Sequence, residues 1–273
     1  MLIAQITDTH IKAAGRLAYR TVDSAQKLRD CVAHLNALSP RPDIALCTGD
    51  LVDLGKAEEY ALLREILAPL AIPLYVIPGN HDDRAALRAA FSDHAYLFRD
   101  AEFLHYAIED YPLRLIGLDT TIPGEQGGEL CERRLAWLDA QLRAAPERPT
   151  ALFMHHPPFL TGLANMDWQN CRNGDALGAL VKRHPQVIRI LCGHVHRPIH
   201  THWYGVTASI APSPSHSCVF DLREDSSHDF VLEPPTCEVH YWREGAGLVS
   251  HLIFIGDYGG RFPFYDADRK LID

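Results

Sequence analysis

Several features are scarce in this chain, and each scarcity narrows the reading. No run of lysine and arginine stands out, and the 273 residues carry a formal charge of −9. Nucleic-acid polymers are normally gripped by a basic patch, so no polynucleotide partner is expected. There is no CxxC pair. The seven cysteines lie far apart, at 31, 47, 131, 171, 192, 218 and 237. Their odd number and wide spacing predict buried, reduced thiols rather than a disulfide framework. No uncharged stretch is long enough to cross a bilayer; LAPLAIPLYVIPGN, near the middle, is short and holds three prolines. Met1 leads straight into LIAQIT, with no basic leader or cleavage site. The expectation is therefore a soluble, cytoplasmic protein without a membrane partner. Repeats and low-complexity tracts are also missing, and apolar periodicity runs nearly end to end, which argues against disorder.

What is present is a regular alternation. At 47% hydrophobic the chain can bury the core of one large α/β domain. Leu2–Thr7, Asp43–Thr48, Pro73–Ile77, Thr150–Met154 and Val187–Cys192 read as strands. Asp23–Leu38, Ala57–Leu70, Asp83–Phe91, Glu129–Ala144 and Gly174–His184 read as helices, several with an apolar stripe at helical spacing. Tyr106–Glu109 and Leu113–Leu118 look like an antiparallel pair. Strands alternating with helices predict a mostly parallel sheet with helices on both faces. In such folds ligands bind beyond the carboxyl ends of the strands.

Polar residues of one chemical kind collect at those ends. The successive strands run into Thr7-Asp8-Thr9-His10, Thr48-Gly49-Asp50, Pro78-Gly79-Asn80-His81-Asp82, His155-His156-Pro157-Pro158 and Gly193-His194-Val195-His196. Singly these are turn or capping residues. Five together, converging on one sheet edge, describe a binding site. Gly49, Gly79 and Gly193 each precede a candidate ligand and allow a sharp exit. Asp8, Asp50, Asn80 and the histidines form a mixed nitrogen and oxygen set suited to Mn, Fe, Co or Zn. They are too many for one ion. Two ions sharing a carboxylate make the number sensible, and such pairs clamp both oxygens of an in-line displacement.

The ordered series D-x-H (8–10), G-D (49–50), G-N-H-D (79–82), H (155) and G-H-x-H (193–196) resembles the calcineurin-like metallophosphoesterase superfamily. Tyr19, Asp23, the HHPP stretch and the C-terminal extension resemble its bacterial class III cyclic nucleotide and glycerophosphodiester phosphodiesterases. The resemblance implies a layered α/β/β/α sandwich, with a catalytic domain at 1–225. It also implies C-terminal strands or a cap at 226–273 that make homo-oligomer contacts. Asp8, His10 and His196 would hold one ion; Asn80, His155 and His194 would hold the other; Asp50 would bridge. His156, held extended by Pro157, is expected to support His155. The implied reaction is in-line attack on a small phosphodiester by a metal-bridging hydroxide.

Two substitutions point to diesters rather than monoesters. Serine/threonine phosphatases of the superfamily read GDxVDRG and RGNH; here Leu54 and Pro78 stand where those enzymes place arginines. Losing two forked donors weakens a dianionic monoester more than a monoanionic diester. A monoesterase or nucleotidase is the alternative, and a metal-free binding module a third. His81 either contacts the phosphoryl group or protonates the leaving oxygen; the alternative is that it braces the site. His216, in PSPSH, resembles a substrate-contacting histidine; otherwise it is a surface loop residue. His200 and His202 are read as edge-strand surface, Asp119 as a cap and Asp53 as structural. The aromatics Phe230, Tyr241, Trp242, Phe254, Tyr258, Phe262, Phe264 and Tyr265 read as extra strands completing the core, or as interface.

Overall fold

The computed structural model describes residues 1–272. The first part of the chain supplies β1 (Leu2–Ile6), β2 (Ile44–Thr48) and β3 (Leu74–Ile77), interleaved with helices α1 (Ser24–Ala37), α2 (Ala57–Leu67) and α3 (Arg84–Ala90). β2, IALCT, is buried at every residue and lies parallel to both neighbours. A strand covered on both faces has no polar face to alternate with, so it reads as a continuous apolar run. α1 starts where the Asp23 carboxylate accepts from the Gln26 N–H at 3.0 Å. α3 starts where Asp83 accepts from the Ala86 N–H at 2.8 Å. Each such cap stabilises its helix by about 1 kcal/mol. Leu28, Cys31, Val32 and Leu35 form the buried stripe of α1.

A second sheet follows: β4 (Tyr106–Ile108), β5 (Arg114–Leu118), β6 (Thr150–Met154), β7 (Val187–Cys192), β8 (Ile199–Trp203) and β9 (Val206–Ile210). Its order is β8-β9-β7-β6-β5-β4, antiparallel at both edges and parallel between β5, β6, β7 and β9. Helices α4 (Glu132–Arg143) and α6 (Gly174–Arg183) accompany it, and a one-turn α5 (Ala164–Asp167) lies between β6 and α6. One core joins the first sheet and its helices to the inner residues Leu115, Phe153 and Leu191 of the second sheet. The other packs Leu138 and Leu142 of α4, and Leu177 and Val181 of α6, onto Ile116, Leu152 and Ile190. The layering is therefore α/β/β/α. The single sheet read from the strand–helix alternation is corrected to two, because alternation reports parallel neighbours and not which sheet a strand joins.

The C-terminal strands β10 (Thr236–Arg243) and β11 (Gly247–Phe254) extend the first sheet, in order β11-β10-β1-β2-β3. β10 runs antiparallel to β1, with Leu2 opposite Tyr241. Cys237, Trp242 and Ile255 belong to the first core, so residues beyond 225 complete that sheet. Past Ile255 the chain runs over the surface, and Phe262 and Phe264 are each 80% exposed. His200 and His202 are exposed on the edge strand β8. Asp119 is not a helix cap. It is fully buried and takes the Arg84 guanidinium at 2.6 and 3.1 Å, together with the Leu104 N–H at 3.0 Å. No helix among the described residues is long and apolar enough to cross a membrane.

Candidate metal centre

The polar ends of β1, β2, β3, β6 and β7 meet where the carboxyl edges of the two sheets face each other. The backbone there is strained. Asp8, His10, Asp50, His194 and His196 have φ of 54°, 45°, 48°, 75° and 57°. Non-glycine residues in this left-handed region cost on the order of 1–3 kcal/mol each and persist only where the surroundings impose them. Backbone bonds impose them here: the Asp8 N–H donates to the Gly49 carbonyl and the His10 N–H to the Asp50 carbonyl, both at 3.0 Å. Two glycines are needed for the approach. A Cβ on Gly193 would collide with the Thr7 hydroxyl, and one on Gly79 with the Asp50 carboxylate.

Seven donor atoms converge. His10 Nε2 lies 3.2 Å from His196 Nε2, which lies 3.2 Å from Asp8 Oδ1. Asp50 Oδ2 is 3.7 Å from His10 Nε2 and 3.4 Å from His155 Nε2. His155 Nε2 is 3.1 Å from Asn80 Oδ1 and 3.3 Å from His194 Nδ1. Ligands about 2.0–2.2 Å from one ion sit roughly 3.0–3.6 Å from each other in tetrahedral or octahedral shells. The two trios share Asp50 as their common neighbour. Two ions fit this donor set.

Tautomers agree with that fit. His155 Nδ1 donates to the Thr48 carbonyl at 2.8 Å, so Nε2 is the nitrogen that faces the cluster and would give up its proton to an ion. His10 Nδ1 faces the Asp53 carboxylate at 3.3 Å, and Lys12 holds the other Asp53 oxygen at 2.5 Å. Such outer partners orient metal-binding imidazoles. His10 Nε2 and His196 Nε2 thus point at each other with at most one proton between them.

Charge reinforces the arrangement. Burial works to raise Asp8, but the His196 imidazole beside it outweighs burial and holds the carboxyl at about 2. Burial likewise opposes Asp50, yet His155 and His81 hold it well below the usual range. Burial pulls His155 down, while Asp50 overrides it and raises the imidazole to about 9. Burial and then the neighbouring His156 and His155 push His194 far down. Asp8 and Asp50 are therefore anionic, and His194 is neutral.

His156 stands apart. Its Nδ1 bonds Thr120 Oγ1 at 2.7 Å and its Nε2 bonds the Gln126 carbonyl at 3.0 Å, so both ring nitrogens are occupied. His81 bonds the Asp53 carbonyl through Nδ1 at 2.8 Å and lines a cavity of about 570 Å³ above the cluster. His216 lines the same cavity and is not a surface loop residue: it is 5% exposed, with its ring 4.4 Å from that of His196. Burial, with His196 and His10 nearby, pushes its imidazole far down.

Two roles were not legible in the sequence. Asp53 steers two histidines at once, one through its carboxylate and one through its carbonyl. Asp82 accepts from the Gly79 N–H at 2.9 Å, the Leu51 N–H at 3.1 Å and the Tyr60 hydroxyl at 2.8 Å, bracing the turn that carries Asn80. Burial raises its carboxyl to about 7. The far wall of the cavity, with Gln126, Asn165, Trp168 and Gln169, comes from a loop and from the one-turn α5 and its end, too short to carry a periodic signal.

Comparison with known proteins places this geometry. A family model described as calcineurin-like phosphoesterase matches residues 1–198. The probable glycerophosphodiester phosphodiesterase GpdQ of Arcobacter nitrofigilis is 44% identical over 274 residues, covering 100% of both chains. The glycerophosphodiester phosphodiesterase GpdQ of Enterobacter lignolyticus is 38% identical, over 95% of this chain and 93% of its own. The 3',5'-cyclic adenosine monophosphate phosphodiesterase CpdA of Escherichia coli is 33% identical, over 77% of this chain and 75% of its own. Among solved structures, a dimetal phosphatase from Danio rerio superposes with a TM-score of 0.67 at 17% identity, over 94% of this chain and 99% of its own, a likeness of fold.

Proposed function

The chain belongs to the calcineurin-like phosphoesterases, and on that premise we propose that it hydrolyses small phosphodiesters with two metal ions. Glycerophosphodiesters and cyclic nucleotides such as 3',5'-cyclic AMP are the substrates that its relatives' names bring forward. Asp8, His10 and His196 would hold one ion, Asn80, His155 and His194 the other, with Asp50 between. The nitrogen and oxygen donors suit Fe, Mn, Zn or Co, and no cysteine is among them. Bound there, such ions supply Lewis acidity at the phosphoryl oxygens and acidify a water toward neutrality.

The chain's own groups do the rest. The two anionic carboxylates keep the cradle's positive excess small, which matches a monoanionic diester better than a dianion. Hydrolysis expels one alcohol, whose oxygen needs a proton. With Nδ1 tied to the Asp53 carbonyl, His81 has Nε2 free to meet a phosphoryl oxygen or the departing oxygen. His216 adds a neutral imidazole to the substrate side of the cavity. The family resemblance also implies a homo-oligomer, and the exposed Tyr258, Phe262 and Phe264 supply apolar surface that an assembly would cover.

The observation that carries the diester reading is that, among the described residues, no lysine or arginine lines the cavity beside the donor cluster. A monoester's second negative charge would find no forked partner there. Turnover of bis- and mono-nitrophenyl phosphate by the manganese-loaded protein tests this. The diester should be preferred by about tenfold or more in kcat/KM, equivalent to one unpaired charged hydrogen bond. A monoester preference would defeat the reading and favour a nucleotidase.

A further inference from the structure

The stretch PSPSH, residues 212–216, runs behind the ion cluster. It leaves β9 at Ile210, and the Ala211 N–H donates to the Cys192 carbonyl at the end of β7, at 3.0 Å. Pro212 and Pro214 follow in alternation. A residue before proline is pushed into extended backbone, and alternate residues of an extended segment point the same way. Ser213 and Ser215 both turn toward the Asp8 carbonyl, at 2.8 and 3.4 Å, and each is 3% exposed.

Ser213 touches two of the proposed ligand residues at once. Its hydroxyl donates to the Asp8 carbonyl, and its N–H donates to the His196 carbonyl at 3.4 Å. Asp8 and His196 are both left-handed, with φ of 54° and 57°. Such backbone persists only where neighbours hold it. Ser215 continues the chain of contacts. Its N–H donates to Ser213 Oγ at 3.0 Å, the two hydroxyl oxygens lie 2.9 Å apart, and Ser215 Oγ lies 2.8 Å from His216 Nδ1. A hydroxyl has one proton. Ser213 gives its own to a carbonyl, which can only accept. The contact between the serines therefore takes the proton of Ser215, and the contact with His216 takes the proton of Nδ1. The lone pair of His216 is then on Nε2.

We propose, on the two-ion reading above, that Ser213 and Ser215 are positioning residues for the two sides of the site. Ser213 clamps Asp8 to His196, so that these ligands of one ion are set before it arrives. Ser215 fixes His216 as a hydrogen-bond acceptor in the cavity. Neither serine touches an ion or the substrate. Ser209, fully buried on β9 with a hydroxyl that has no partner, is a serine without this role.

Manganese titration of the metal-free full chain, followed by the electron-spin signal of the free ion, reads the clamp without turnover. Ser213→Ala should weaken one binding event by about tenfold and leave the other within about twofold. Ser213→Thr, which keeps the hydroxyl, should return most of the affinity, and Ser209→Ala should change neither event. The His216 tautomer is read in the zinc-loaded protein by long-range proton–nitrogen correlation, with His216→Gln assigning its signals. The parent should show the proton on Nδ1, and Ser215→Ala should move it toward Nε2. In that variant KM for bis-nitrophenyl phosphate should rise by about threefold at nearly constant kcat, the loss of one neutral hydrogen bond. Parent-like affinity for both ions in folded Ser213→Ala, or an equal loss in Ser209→Ala, would overturn the clamp. If the alanine variant does not fold, a lost binding event in folded Ser213→Thr would overturn it. A parent His216 protonated on Nε2 would overturn the role of Ser215. Hydrolysis of the diester by the parent reports on the phosphodiesterase reading separately: an inactive parent that binds two ions would end that reading and leave the clamp, and a parent that binds fewer than two would end both.

Discussion

Two clusters of buried carboxylate and imidazole lie between the same pair of sheets, and they behave in opposite ways. At the carboxyl ends of the strands, Asp8 and Asp50 are 0% and 2% exposed and held low. Farther along the seam, Glu238 on β10 is 1% exposed, and burial raises its carboxyl to about 7 despite Arg189 nearby. Burial acts in the same direction on all three. What differs is the partners. Asp8 has the His196 ring at 3.2 Å and accepts the His194 N–H at 2.9 Å. Asp50 accepts the His81 N–H at 2.9 Å. Glu238 has imidazoles only at 3.6 and 3.7 Å, and its Oε2 has no hydrogen-bond partner. His240 beside it spends its nitrogens on Gln5 and Ser250, at 3.0 and 2.8 Å. Gln5 in turn reaches the Cys192 carbonyl of the second sheet at 2.9 Å. The upper cluster stores charge for something to bind; the lower one joins two sheets, with its carboxyl pushed toward the protonated form. Histidines and carboxylates in company do not by themselves make a site. Convergent, tautomer-fixed lone pairs do.

Removing a carboxylate from each cluster gives the sharpest contrast. Asp50→Ala should lose at least one bound ion per chain and lower turnover by about 1,000-fold or more, since several kcal/mol of transition-state stabilisation depend on that ion. Glu238→Gln should leave the metal content unchanged. Metal analysis after manganese loading reads both. Near-normal ion binding and rates in Asp50→Ala would remove it from the shared position.

The lower cluster shows itself in stability instead. The Glu238 carboxyl lies above its unfolded value of 4.5, at about 7. Between those values the unfolded chain has lost the proton and the folded chain keeps it. Stability should therefore fall as pH rises through that window, by at most on the order of 3 kcal/mol. Glu238→Gln removes the titration, so its stability should change less between pH 5 and 7.5 than that of the parent. Urea melts at the two pH values check this, and parallel curves for the two proteins would show that Glu238 is not a source of the dependence.

Much of the upper cluster was legible because its residues sit at the ends of strands, where an apolar run stops abruptly. The helix starts at Asp23 and Asp83 were legible for a related reason: a short acceptor before an apolar stripe has few other uses. The existence of two sheets was not legible in the strand–helix alternation; only the family resemblance implied it. A buried parallel strand looks the same in either sheet, and β10 reaches β1 from more than 200 residues away in sequence, with Tyr241 opposite Leu2. Loops hid the rest. Trp168 and Asp53 have no period to betray their direction, His216 was marked only by the family resemblance, and the Asp119–Arg84 pair joins elements that local sequence does not connect.

The adjacent histidines after β6 make the finest comparison, because they share a backbone and differ only in direction. His155 Nε2 faces Asp50 and Asn80, while His156 spends one nitrogen on Thr120 and the other on Gln126. His155→Ala would remove a lone pair from the convergent set. His156→Ala would leave that set intact and free the loop at 120–126 to shift, along with the Gln126 edge of the cavity. Its effect should be near the lower end expected for outer partners of a metal site, about tenfold in turnover, with little change in ion content. His156→Asn, whose amide can still donate to the Gln126 carbonyl, should recover part of the loss. If His156→Ala instead emptied the site while His155→Ala spared it, the assignment within the pair would be reversed, and the bonds to Thr120 and Gln126 would have to break when ions bind.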